Sequence, residues 1–346
     1  MLLDFAHADA FQKRLCGRPG ESGVALFMVL WVLILLSVIV GEFCHAMRTE
    51  VNITRNFKDE TQAYYIAEAG LYRAVAELIR DEVLTGRLKS AKSEEEDGEI
   101  RWRVNAAIPV MEYGQGRYRV EIGNESGKVN INKAGPKLLS MMLNGLNLED
   151  DHREVIVDSI RDWRDKDYFH RVNGAEDDYY LSLPEPYECR DSDFESVEEL
   201  LLVRGMTPEI FYGGLSEMVT VYQDEEIESV EAGVQGEGFD FDRININAAS
   251  PRMLLALPRM TEDIVRDIML YREEKDFKSL MDVRVFLGSD IYGAIRLYIT
   301  IETLPFYAIR SVGEIGGTRT KRAVRCLVQI GRDLKKGYRM IQWMDG

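Results

Sequence analysis

An uncharged stretch near the N-terminus, residues 23–41, constrains this chain more than any other feature. It reads GVALFMVLWVLILLSVIVG and contains no acidic or basic residue. A membrane-spanning helix requires about 20 predominantly apolar residues, and this stretch is close to that length. A leader with Lys13, Arg14 and Arg18 precedes it. We therefore predict a helix in the membrane, followed by a soluble region.

The apolar stretch does not have the form of a cleaved signal peptide. It is longer than the roughly 7–15 residues of a signal h-region, and no Ala-x-Ala-like site closes it. Apolar residues continue at three- and four-residue steps to Arg80, and no proline interrupts residues 24–80. We predict one long helix that leaves the lipid as an amphipathic helix. The basic leader should stay in the cytoplasm.

Two groups of strands are expected in the soluble region. Residues 99–106 and 117–122 alternate apolar and polar side chains on either side of turn residues 113–116, which predicts a β-hairpin. Three further strands are predicted near the C-terminus, at residues 306–312, 323–330 and 339–343. Together these strands predict one antiparallel sheet whose two parts are far apart in sequence.

An internal repeat lies between the two groups of strands. Residues 129–134 (VNINKA) and 244–249 (ININAA) share an Asn-x-Asn pattern, and a proline follows each of them. Each copy continues through a helical stretch to a Phe-x-Ser motif, at Phe194 and at Phe277, and then to another helix and a short β-branched strand. This order is similar to that of helix-hairpin-helix units. We predict an inserted helical domain with two repeats.

Carboxylates are concentrated in the first repeat. Asp158, Asp162 and Asp165 share one face of a predicted helix. Further carboxylates lie close by in sequence: Asp167, Glu176, Asp177, Asp178, Asp191 and Asp193. Such groups repel one another unless a cation neutralises them, and oxygen ligands without His or Cys are the set that calcium prefers. The residues alone leave two possibilities open, a calcium site and a solvated acidic loop.

Several other functions are disfavoured. A net charge of −16 argues against broad nucleic-acid binding, which requires an excess of Lys and Arg. A membrane-anchored DNA receptor is the alternative function that the helix-hairpin-helix pattern suggests, but residues 257–261 carry no glycine for close phosphate approach. The Gly-rich segments 233–238 and 313–317 lack the Lys-Ser/Thr of a phosphate loop. We predict that the protein is not an enzyme. Free thiols are the default expectation for Cys189 and Cys326, and a disulfide between them in an oxidising periplasm stays open.

A basic leader that ends in glycine and runs directly into an apolar helix resembles the precursors of type IV pilins and type II secretion pseudopilins. The resemblance implies that a prepilin peptidase cuts after Gly23 and leaves Val24 as the mature N-terminus. The fifth mature residue, usually a glutamate, is Met28 here. An apolar residue at this position resembles the K-type minor pseudopilins, the GspK family.

Segments 162–167, 174–180 and 203–209 are also similar to the matching segments of K-type pseudopilins. The resemblance implies calcium in the helical domain, and Asp162 is a possible helper outside the ligand set. The implied ligands are Asp165, Asp167, Glu176, Asp177, Asp178 and Asp191. The resemblance further implies a minor pseudopilin that helps to start and cap a periplasmic pseudopilus for the export of folded proteins. Its implied partners are I-type and J-type minor pseudopilins, contacted through the sheet and the helix face of residues 49–80.

The predicted fold is α+β, with a long N-terminal transmembrane helix packed on an antiparallel sheet and a large inserted all-α domain of two helix-hairpin-helix or SAM-like repeats. The predicted segments are the leader at 1–23, the transmembrane helix at 24–43, the periplasmic helix at 44–85, the first part of the sheet at 86–128, the inserted domain at 129–304 with repeats at 129–222 and 244–303, and the second part of the sheet at 305–346. We expect a single-pass protein of the inner membrane whose C-terminal domain lies in the periplasm.

Overall fold

One uninterrupted helix, α1, spans Glu21–Leu88. The absence of proline explains its continuity, since no backbone N–H is lost along it. The computed structural model describes residues 21–88, 102–146, 148–222, 239–332 and 334–345; most of the predicted leader and the Gly-rich segment 233–238 lie outside these ranges.

The chain divides into two units, residues 1–61 and residues 62–346. In the first unit, the side chains of residues 24–57 are exposed, and α1 is long and apolar enough there to cross a membrane by its length and composition. In the second unit, α1 buries one face with the three- and four-residue spacing of a packed helix, at Ala63, Ala67, Leu71, Ala74 and Leu78.

The other elements belong to the second unit. The strands are β1 (Met111–Tyr113), β2 (Gly116–Asn124), β3 (Val129–Asn130), β4 (Val219–Thr220), β5 (Ile244–Asn245), β6 (Ile299–Thr300), β7 (Phe306–Ile315), β8 (Lys321–Ile330) and β9 (Tyr338–Asp345). The helices are α2 (Pro136–Asn144), α3 (Asp150–Arg164), α4 (Asp177–Tyr180), α5 (Pro208–Tyr212), α6 (Pro251–Ala256), α7 (Glu262–Glu274), α8 (Leu280–Leu287) and α9 (Ser289–Ile295). Short 3₁₀ turns occur at Glu125–Gly127, Val197–Leu202 and Leu215–Glu217.

The main sheet has the strand order β1-β2-β7-β8-β9, and all its strand pairs are antiparallel. Tyr118, Val120 and Ile122 of β2 point towards α1 and form one core with its buried face. The approach is closest at Gly313, where an added Cβ would lie 2.1 Å from the carbonyl oxygen of Ala63. The predicted α+β fold, with the N-terminal helix packed on an antiparallel sheet, is therefore confirmed.

The predicted hairpin was wrong in its first strand. The strand that pairs with β2 is Met111–Tyr113, whereas residues 102–106 form no strand and residues 99–101 lie outside the described ranges. Arg103 donates instead to the carbonyl oxygen of Arg272 at 2.8 Å and to Asp276 at 2.7 Å. Asn105, with a φ of 55°, donates to the carbonyl oxygen of Asn247. These contacts with the second repeat override the alternating pattern.

The two repeats share one hydrogen-bond framework. The side chain of Asn132 exchanges two hydrogen bonds with the backbone of Phe194, and Asn247 does the same with Phe277. An arginine near the end of a helix in each repeat donates to two backbone carbonyls of the Asn-x-Asn segment. It is the half-buried Arg164 in the first repeat and the buried Arg272 in the second. Two short parallel pairs, β3–β4 and β5–β6, close the repeats, and β4 and β6 lie at the β-branched segments predicted as strands in this otherwise helical insertion. The Asn-x-Asn motif therefore supplies buried side chains whose hydrogen bonds hold each repeat together.

Candidate metal centre

Ligand-type side chains converge in the first repeat, in the segment that joins α3 to the turn at Val197–Leu202. One ligand atom each from Glu176, Cys189 and Asp191 lies within 4.8 Å of the others. Glu176 immediately precedes α4, and its side chain is 3% exposed. Asp191 has a φ of 51°, a conformation that Asp tolerates better than most residues. The local backbone therefore directs two carboxylates and a thiol to one point.

Several oxygens in this cluster lack a hydrogen-bond partner among the described residues. They are both carboxylate oxygens of Glu176, Oδ1 of Asp165 and Oδ1 of Asp191. A buried polar group without a partner costs about 1–3 kcal/mol, and more if it is charged. Such a group is either protonated or bound to a cation, so these four oxygens could take up protons or a positive ligand.

The electrostatics agree with this interpretation. Burial, and then the negative charges of Asp162, Asp191 and Asp165, raise the pKa of Glu176 to about 7, although the Cys189 thiol opposes the shift. Burial also raises the pKa of Asp191, with Asp177 and Asp165 adding to the effect. Burial raises the pKa of the Cys189 thiol well above its usual range, which favours the neutral thiol over the thiolate in the metal-free protein. The available donors are hard oxygens, which fit calcium.

The positively charged side chain of Arg171 contacts the carboxylates at the end of α3. Its guanidinium forms ion pairs with Asp162 and with Asp165, the latter at 2.6 Å. Asp162 is fully buried, and its Oδ2 also accepts a hydrogen bond from the backbone N–H of Arg171 at 3.1 Å. A Cβ added to Gly174 would lie 1.8 Å from that same oxygen, so glycine is required there. The carboxylate of Asp162 therefore binds the loop that carries Arg171.

The structure separates the predicted ligands into two groups. Asp165, Glu176, Asp177 and Asp191 lie close enough for their charges to act on one another. In this group, Asp177 Oδ1 also accepts a hydrogen bond from the N–H of Cys189 at 2.6 Å.

Asp167 and Asp178 form the other group and are exposed. Each accepts a nearby backbone hydrogen bond at 2.9 Å, from the N–H of Phe169 and of Tyr179, respectively. Sequence reasoning did not identify Arg171 as a partner of this cluster. The only signal was a single arginine within an acidic segment.

The cysteines are consistent with free thiols. Cys189 and Cys326 are both buried and unpaired in the structure. Cys189 lies beside Glu176 and Asp191, whereas Cys326 belongs to the core between the sheet and α1. No disulfide therefore joins them.

Comparisons with known proteins agree on one family. Residues 120–224, which include the candidate metal centre, match the family model described as type II secretion system (T2SS), protein K. Type II secretion system protein K of Aeromonas hydrophila is 23% identical over 322 residues, which cover 88% of this chain and 92% of that protein. The protein of the same name from Pseudomonas aeruginosa is 25% identical over 275 residues, which cover 77% of this chain and 76% of that protein.

A solved structure shares the fold. It is the GspK-GspI-GspJ complex from the type 2 secretion system of enterotoxigenic Escherichia coli, with a TM-score of 0.54 and 16% identity. The match covers 85% of this chain and 99% of the matched chain. The family model and the relatives are type II secretion system K proteins and the solved structure shares the fold, so this chain is similar to the GspK family of minor pseudopilins, which are structural components and not enzymes.

Proposed function

We propose that this protein is the tip component of the pseudopilus, where it helps to start the fibre and caps it. The observation that carries the proposal is the size of the insertion: residues 125–305 interrupt the main sheet between β2 and β7. A domain of this size would obstruct the axial addition of another subunit. Met28 supports the same position, because a membrane carboxylate is costly without a partner and a terminal subunit has no neighbour above it.

We also propose that the protein is anchored once in the inner membrane and exposes its second unit to the periplasm. The apolar part of α1 is long enough to span a bilayer. The basic residues that precede it favour a cytoplasmic N-terminus by the positive-inside rule. The processing that would create the mature end is the cut between Gly23 and Val24.

Replacing Gly23 by valine should leave an uncleaved precursor. The side chain would occupy the position next to the bond that the peptidase cuts, and the family resemblance implies a glycine there. The measurement is the mass and N-terminal sequence of the protein expressed with its prepilin peptidase. Gly41→Val is the matched control, because an added Cβ at Gly41 meets nothing within 4 Å. Normal maturation of the Gly23 variant would contradict the proposal.

Its partners are proposed to be I-type and J-type minor pseudopilins, since the solved structure that shares this fold is a complex with GspI and GspJ. The exposed part of α1 offers a docking surface. Ile53 and Phe57 lie four residues apart on one face of the helix and are 63% and 71% exposed, so an apolar contact there supports this proposal.

Phe57→Glu should therefore prevent co-purification of the I-type and J-type proteins with this chain. The expected loss is at least about tenfold, because a charge would replace a large apolar contact at the interface. The measurement is the yield of the three-protein complex after co-expression and size-exclusion chromatography. Lys58→Glu is the control, since Lys58 is the adjacent exposed residue of the same helix. Equal loss in both variants, or in neither, would argue against this interface.

We propose calcium as the ion of the first repeat, bound by oxygens of Asp165, Glu176, Asp177 and Asp191. The four unpartnered oxygens of this cluster support the proposal. Asp167 and Asp178 stay predicted ligands, although both are exposed in this structure. The bound ion would neutralise the carboxylates and stabilise the segment between α3 and the turn at Val197–Leu202.

A further inference from the structure

The face of the main sheet that points away from α1 carries an excess of positive charge. Side chains alternate along each strand, so the residues of β2 between Tyr118, Val120 and Ile122 lie on this outer face. The strand register extends the assignment to β7, β8 and β9. The register of β1 adds Glu112, which lies opposite Arg117. The charged residues of the outer face are therefore the cations Arg117, Arg119, Arg310, Lys321, Arg325 and Arg339 and the carboxylates Glu112, Glu121 and Glu314. The whole chain has a net charge of −16, so this face is an exception.

The carboxylates on the outer face do not neutralise these cations. Glu314 is shared by Arg117 at 3.2 Å and Lys321 at 3.4 Å, and Glu121 pairs with Arg310 at 3.1 Å. Among the described residues, no ion pair is recorded for Arg119 or Arg325. We conclude that positive charge is left over on this face.

Arg325 is also placed unfavourably for an isolated protein. It lies directly opposite Arg310 in the register of β7 and β8. Like charges opposite one another across a strand pair destabilise a sheet. An external anionic group placed between these two guanidinium groups would remove the repulsion.

An apolar cleft adjoins the same arginines. It has a volume of about 260 Å³ and separates the outer face of the sheet from the first repeat. Arg310 and Arg325 lie at one wall, and its apolar lining comes from Val219, Val221, Tyr222, Ala308, Leu327 and Met344. Two carboxylates line the cleft: Glu125 is buried and paired with Lys128 at 2.8 Å, and Glu198 is exposed. The surface therefore combines cations with a recess for an apolar side chain.

We propose that this surface, the outer face of the sheet with its adjoining cleft, binds an acidic segment of a protein partner that also carries aliphatic side chains. Carboxylates of the segment would pair with Arg119, Arg310 and Arg325, and an aliphatic side chain would enter the cleft. Charge complementarity favours such a segment. A nucleic acid fits less well, since its repeated phosphates would meet the strongly negative remainder of the chain. This inference does not depend on the tip position.

The test uses the full-length protein in detergent and a short fluorescein-labelled peptide of alternating Glu and Leu. Fluorescence anisotropy should show saturable binding that weakens as salt rises, because exposed charge pairs are screened. The double variant Arg119→Glu/Arg325→Glu should weaken binding at least about tenfold. Arg119→Gln/Arg325→Gln should give a smaller loss. It also provides a milder variant if charge reversal disturbs folding.

Matched controls separate this surface from general charge effects. Arg266→Glu/Arg284→Glu makes the same charge change on α7 and α8 and should leave peptide binding unchanged. A peptide of alternating Lys and Leu should not bind. Phe57→Glu should still bind the acidic peptide, which distinguishes this surface from the α1 interface. The proposal would be overturned if the acidic peptide did not bind. It would also be overturned if wild type and the two double variants at Arg119 and Arg325 bound the peptide equally.

Discussion

Replacing Gly313 by alanine should lower the free energy of unfolding of the second unit by at least about 3 kcal/mol, the upper end of the usual cost of overpacking. The added Cβ would lie 2.1 Å from the carbonyl oxygen of Ala63 and 2.6 Å from the backbone nitrogen of Ala67. These are backbone atoms inside α1, so no rotation of a flexible side chain relieves the collision. The helix would have to move away from the sheet and open the core around Leu71 and Val120.

The measurement is urea unfolding of the purified protein, followed by near-ultraviolet circular dichroism. Gly123→Ala is a matched control in the same sheet, because its added Cβ would lie 3.6 Å from the nearest atom, the carbonyl oxygen of Ala308. That substitution should change stability by less than about 1 kcal/mol, since 3.6 Å is an ordinary van der Waals contact. If both variants were equally stable, α1 would not lie as close to β7 as the structure shows.

Much of the fold follows from local patterns in the sequence. The long helix is predicted by its apolar spacing and the absence of proline, and β7 and β8 by their alternating side chains. Alternation failed at residues 102–106, because it predicts a strand-like segment but cannot show whether another strand pairs with it. Arg103 and Asn105 use their side chains to reach the second repeat, and such contacts are not encoded in a local pattern.

The sequence also located the acidic cluster without identifying which of its members are buried. Glu176 and Asp178 are close in sequence, yet Glu176 is buried whereas Asp178 is exposed, because the start of α4 turns them in different directions. The close contact of Gly174 with Asp162 helps to fix that orientation. Burial of this kind depends on tertiary packing, and a single sequence does not contain a local signal for it.

In the presence of a chelator, the free energy of unfolding should fall as pH rises from about 4.5 to about 7. The pKa of Glu176 is about 7 in the folded protein, compared with an ordinary value of 4.5, so the folded state binds more protons than the unfolded state in this range. Stability therefore decreases with pH, by on the order of 3 kcal/mol across the range. Because other groups also titrate, the measurement is the difference between wild type and Glu176→Gln in urea unfolding. The variant should lack this decrease.

At neutral pH, calcium should reverse which of the two proteins, wild type or Glu176→Gln, is the more stable. Without calcium, Glu176→Gln should be the more stable protein, because it removes an unpaired buried charge. With calcium at about 100 times its dissociation constant, wild type should gain about 2.7 kcal/mol, whereas the variant should gain little because it has lost a charged ligand. Glu185→Gln, at an exposed position, should behave as wild type. A pH effect that persists without any stabilisation by calcium would show that Glu176 is a protonated buried acid, and it would contradict the calcium proposal.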